Sequence, residues 1–94
     1  MAVGLLTLHL LVPGCTSLKE KRSRLKPLLV RLHREFNIST AEVDHQDAWR
    51  DASVACALVS NDPGFNRQVL QQVIHWVETN WPDVTLVDDR IEML

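Results

Sequence analysis

The chain has 94 residues and a net charge of −2, with 46% apolar and 23% charged side chains. Those proportions belong to an ordinary soluble globular chain rather than a disordered one. The length supports a single domain, residues 1–94, burying roughly 60–65% of its unfolded surface, and no apolar run approaches the roughly 20 residues of a bilayer span.

Ala2 to Val12 reads as the first strand. Its even positions, Ala2, Gly4, Leu6, Leu8, Leu10 and Val12, are all apolar. Its odd positions, Val3, Leu5, Thr7, His9 and Leu11, are only partly so, which is the pattern of a central strand. Pro13-Gly14 ends it. The run "LLVPGC" looks like a lipoprotein cleavage site, but no basic residue precedes it and His9 interrupts it, so the expected location is cytoplasmic.

Ser17-Leu18-Lys19-Glu20 has the form of a capping box and opens a helix running to about Phe36. Leu18, Leu25, Leu29, Leu32 and Phe36 make an apolar seam, with Arg22 filling the missing turn. Pro27 removes the bond to the Ser23 carbonyl and predicts a kink or a break. Ile38 to Asp44 is a short alternating strand. Ser53 to Ser60 is another, with Val54, Cys56 and Leu58 on one face and Ser53, Ala55, Ala57 and Val59 on the other.

Asn61-Asp62-Pro63 starts a second helix, whose apolar face is Phe65, Val69, Val73, Trp76 and Val77. Trp81-Pro82 stops it. Val84 to Met93 is the last strand, polar in its middle. The order β-α-β-β-α-β predicts an α+β, ferredoxin-like split βαβ sandwich: a four-stranded antiparallel sheet with two helices on one face. In that arrangement the first and third strands are central. The second and fourth are edges, in keeping with their charges at Glu42, Asp44, Asp88, Asp89, Arg90 and Glu92.

Two cysteines, Cys15 and Cys56, make no disulfide framework and no zinc spacing. The stretch "AEVDHQDAW" gathers Glu42, Asp44, His45 and Asp47 into nine positions. If Glu42 and Asp44 share a strand face, they could hold a hard cation with help from Asp47. The spacing is not that of a calcium loop. The favoured reading is a hairpin connection in which Asp44, Asp47 and Asp51 cap turns and Trp49 covers the end of the core. No metal and no cofactor is expected.

Charge is unevenly placed. Lys19, Lys21, Arg22, Arg24, Lys26, Arg31 and Arg34 fall between residues 19 and 34 with only Glu20 against them, so that segment carries +6 and the remainder −8. This asymmetry is the strongest functional signal in the chain.

Three stretches, "SLKEKR", "AEVDHQDAW" and "ALVSND", occur in this order and spacing, and together they resemble the YlxP-like bacterial family. The resemblance spans essentially the whole chain and implies a ferredoxin-like fold. It also implies a gene context among transcription and translation factors, including a ribosome-binding factor, and hence a role near RNA or the ribosome. It supplies no catalytic residues.

Three functions follow as expectations. The first is a non-enzymatic module for structured RNA or a ribosomal subunit, using the seven basic residues of the first helix. Base stacking of the RRM type is disfavoured, because the first and third strands carry no Phe, Tyr or Trp. The second is a homo-oligomer joined through Val3, Leu5, Leu11, Ala55, Ala57 and Val59, an apolar patch on the sheet face away from the helices. The third is an acylphosphatase-like enzyme binding phosphate at the start of the first helix through Arg22 and Asn61. The motif of that enzyme's loop is absent, so catalytic residues are expected to be none.

Overall fold

The computed structural model describes residues 1–44 and 47–94. Six elements follow one another: β1 (Ala2–Leu11), α1 (Leu18–Phe36), β2 (Ser39–Asp44), β3 (Asp51–Ser60), α2 (Pro63–Asn80) and β4 (Thr85–Met93). The strands form one sheet in the order β2-β3-β1-β4, with every neighbouring pair antiparallel. This is the ferredoxin-like arrangement, with the two long apolar strands central and the charged ones at the edges.

The alternation in β1 decides which face receives the helices. Leu6, Leu8 and Leu10 are fully buried beside Val54 and Cys56 of β3, and Leu25, Leu28 and Leu32 of α1 and Leu70, Val73 and Val77 of α2 close the core over them. Gly4 lies where α2 comes closest. A Cβ there would stand 2.9 Å from Leu70 Cδ1 and 3.2 Å from Asn66 Cβ, so only a residue without a side chain lets the helix down onto the strand.

Both helices start as their sequences dictate. Ser17 Oγ accepts the Glu20 N–H at 3.1 Å. The Glu20 carboxylate reaches back one residue further than a capping box requires, taking the Thr16 N–H at 3.1 Å and the Thr16 hydroxyl at 2.9 Å. Asp62 caps α2 by accepting the Gly64 N–H at 2.9 Å. Asn37, in the left-handed region with φ 51° and ψ 48°, ends α1.

Two sequence expectations are corrected, and one alternative at Pro27 is decided. As expected, α1 continues to Phe36, and of the kink or break predicted at Pro27 the break does not occur. Its inward face is Lys21, Leu25, Leu28 and Leu32, so Leu28 and Lys21 take the places expected for Leu29 and Arg22; Leu29 is half-buried and Arg22 exposed. Adjacent leucines at positions 28 and 29 allow two neighbouring seams, and tertiary contacts chose between them. On α2, Asn66 and Leu70 turn inward while Phe65 is exposed. Asn66 is fully buried because it ties three elements: its Nδ2 donates to the Ala2 carbonyl at 3.2 Å, and its Oδ1 accepts from Ser60 Oγ at 2.6 Å.

Candidate nucleic-acid interface

The seven basic residues of α1 divide into two groups. Three are engaged within the molecule. Lys21 is 1% exposed, and its ammonium lies 2.9 Å from Glu42 Oε2 and donates to the Asp51 carbonyl at 3.1 Å. It is therefore withdrawn from the interface expected from sequence. Arg24 spends its guanidinium on backbone, donating to the Pro13 carbonyl and to the Asp83 carbonyl at 2.6 Å. Arg31 pairs with Glu35 at 3.0 Å and lies over the Trp76 ring, 5.5 Å from its centroid.

The other four, Lys19, Arg22, Lys26 and Arg34, are exposed, and none forms an ion pair among the described residues. Their spacing of three, four and eight residues keeps them on one outward stripe of the helix. At 1.5 Å per residue the stripe is about 22 Å long. Val30 occupies the empty turn of the stripe, four residues from both Lys26 and Arg34, and is 46% exposed.

That gap is the floor of a groove of about 410 Å³, where Pro27 and Val30 face Trp81 and Lys26, Arg31 and Arg34 form the rim. Trp81 stands at the C-cap of α2 and packs against Trp76 with ring centroids 6.0 Å apart; Trp76 in turn meets Phe36 edge-on at 6.2 Å. Sequence reading missed this groove. Trp81 appears there only as a helix stop, and its proximity to Val30 depends on how the two helices pack. The one local signal was an apolar residue interrupting a basic stripe.

The acidic stretch is also resolved by register. β2 bulges against β3 so that Glu42 pairs with Val54 while Asp44 pairs with Ser53. Val54 and Ser53 are consecutive and point to opposite faces, so Glu42 and Asp44 do too. Glu42 goes to Lys21, and Asp51 goes to His9 at 2.9 Å. Trp49 is 53% exposed and does not cover the core. His45 lies outside the described residues. Among the described residues no three His, Cys, Asp or Glu side chains converge as a cation site.

The expected phosphate loop has a different occupant. The Thr16 amide at the start of α1 already faces the Glu20 carboxylate, whose pKa is lowered chiefly by that backbone hydrogen bond, then by the Thr16 hydroxyl and Arg24. Arg22 and Asn61 are exposed. Both cysteines are buried, and burial pushes the Cys56 thiol up to about 12, leaving it unreactive at neutral pH.

On the opposite sheet face, cross-strand register puts Val3 beside Val59, Leu5 beside Ala57, and Thr7 beside Ala55. Five of the six residues expected to meet a second copy therefore gather at one end. Leu11 lies opposite Asp51, six residues and about 20 Å from Leu5.

Residues 3–91 match the sequence profile of a family described as "Protein of unknown function (DUF503)". The chain belongs to that family. It is 31% identical over 90 residues to "Uncharacterized protein YlxP" of Bacillus subtilis (strain 168), covering 96% of this chain and 97% of the relative. Among solved structures it is similar to "De novo designed protein Foldit4", with a TM-score of 0.57 and 7% identity, covering 100% of this chain and 97% of that one. That likeness concerns the fold alone. Two of the three stretches singled out in the sequence meet in space, because Lys21 belongs to the first and Glu42 to the second.

Proposed function

We propose that this member of the DUF503 family is a non-enzymatic binding module for structured RNA, working at or near the ribosome, with the outward stripe of α1 as its contact surface. One observation carries the reading: Lys19, Arg22, Lys26 and Arg34 line one side of a helix without acidic partners among the described residues, on a chain that is otherwise acidic. Four phosphate contacts would release counterions, so affinity should fall as salt rises, with a log–log slope of about −3.6. The ribosomal setting rests on the gene context implied by the YlxP-like resemblance.

The test is binding of fluorescently labelled RNA hairpins and of ribosomal subunits between low and moderate salt. Single Gln substitutions at the four positions should each weaken binding and reduce the slope by about 1. The same substitution at Arg24 should change stability instead, since its partners are carbonyls of its own chain. A slope near zero would remove the proposal.

A second reading, compatible with the first, is self-association through the open sheet face. Val59 is 62% exposed and adjoins Val3, Leu5 and Ala57. Sedimentation at micromolar concentration should show a dimer or larger species that Val59→Lys dissociates; a monomer throughout would end this reading.

A further inference from the structure

We infer that the groove between α1 and Trp81 receives a single unpaired nucleobase, with Lys26 and Arg34 neutralising the phosphates on either side. This deepens the proposed RNA-binding reading and rests on it.

Three features of the groove select that ligand. Its volume of about 410 Å³ is within the range of small-ligand sites, and its walls are a proline ring, an isopropyl group and an indole, suited to a flat π-face. One residue of its lining also carries a polar group without a partner. Pro27 has no N–H, so the helix offers the Ser23 carbonyl no donor one turn on, and Ser23, which lines the groove, is exposed to solvent. The Trp81 indole N–H is covered and has no acceptor among the described residues. A buried donor without an acceptor is costly, and a nucleobase, whose edge carries acceptors, can supply the partner that the Trp81 indole lacks. Finally, Lys26 and Arg34 stand at the groove without ion pairs among the described residues, matching the two phosphates that flank any base within a strand. An acidic peptide would match the cations but offer no flat face for the floor.

The location also fits the fold. The sheet surface that stacks bases in other domains of similar architecture has no aromatic residue here on β1 or β3. An aromatic residue lies beside α1 instead, Trp81, in the groove that Lys26 and Arg34 also line. A base turned out from a bulge or loop could enter the groove while the paired stem lies along Lys19 and Arg22.

The experiment compares a fully paired RNA duplex with the same duplex carrying one bulged nucleotide, in the full chain and in two variants. Val30→Gln places a longer neutral chain in the groove at an exposed position. Pro27→Ala removes the ring and restores the donor to the Ser23 carbonyl. We expect the natural chain to bind the bulged RNA about tenfold more tightly, with a change in tryptophan fluorescence seen only for that RNA. Both variants should lose the preference while keeping duplex affinity within about twofold. Equal affinity for the two RNAs would overturn the base-binding groove and leave the backbone reading standing. Failure to bind either would overturn both. Equally tight, competitive binding of a polyglutamate peptide of matching charge would assign the groove to an acidic protein segment and overturn it as well.

Discussion

At the scale of single residues, Lys21 shows how position overrides charge. It is one of seven cations in a short stretch, yet it is 1% exposed and held by Glu42 and the Asp51 carbonyl. Taking two ions out of water is costly, and removing one partner leaves the other uncompensated. Glu42→Ala should therefore destabilise the fold by about 3 kcal/mol in urea unfolding. Glu42→Gln, which keeps a hydrogen-bonding oxygen, should cost less. Glu20 makes a different statement. Its carboxyl is held below the ordinary glutamate range by Thr16, so its contribution is present above the unfolded value and is lost as pH falls through the lowered folded value. Thermal unfolding followed down through the acid range should show a loss that is blunted in Glu20→Gln.

At the scale of elements, the first helix carries an internal conflict. A proline in a helix interior forfeits a hydrogen bond and crowds the preceding turn, at about 3 kcal/mol relative to alanine. α1 nevertheless continues from Leu18 to Phe36, because Leu25, Leu28 and Leu32 on either side of Pro27 are buried against the sheet and α2. Pro27→Ala should raise stability by about 2 kcal/mol in denaturant unfolding. Stability gained together with a lost preference for bulged RNA would mean that a binding feature is maintained at the expense of the fold. The existence of this helix, its Ser17 cap and its end near Phe36 were legible in the sequence, since capping and period are local. Which leucines point inward was not, because Leu28 and Leu29 satisfy the period almost equally.

At the scale of the whole molecule, binding and stability should separate. Lys19 and Arg22 are exposed without ion pairs among the described residues, so the double change Lys19→Gln, Arg22→Gln should leave unfolding free energy within about 0.5 kcal/mol. The same variant should lower the salt slope of RNA binding by about 2. A large loss of stability would place these side chains in the fold rather than at an interface.

The sequence by itself determined the strand and helix order, the central position of β1 and β3, the caps, and the concentration of positive charge on α1. Those features depend on alternation, helical spacing and near-neighbour chemistry, which a linear chain displays directly. Tertiary structure decided which cations remain outward, that Glu42 and Asp44 face opposite ways, and that Val30 and Trp81 share a groove. Each depends on contacts between residues far apart in the chain: Lys21 with Glu42, a bulge in one strand read against its partner, and the end of one helix beside the middle of another. Local pattern states what a side chain can do, and packing determines what it is left free to do.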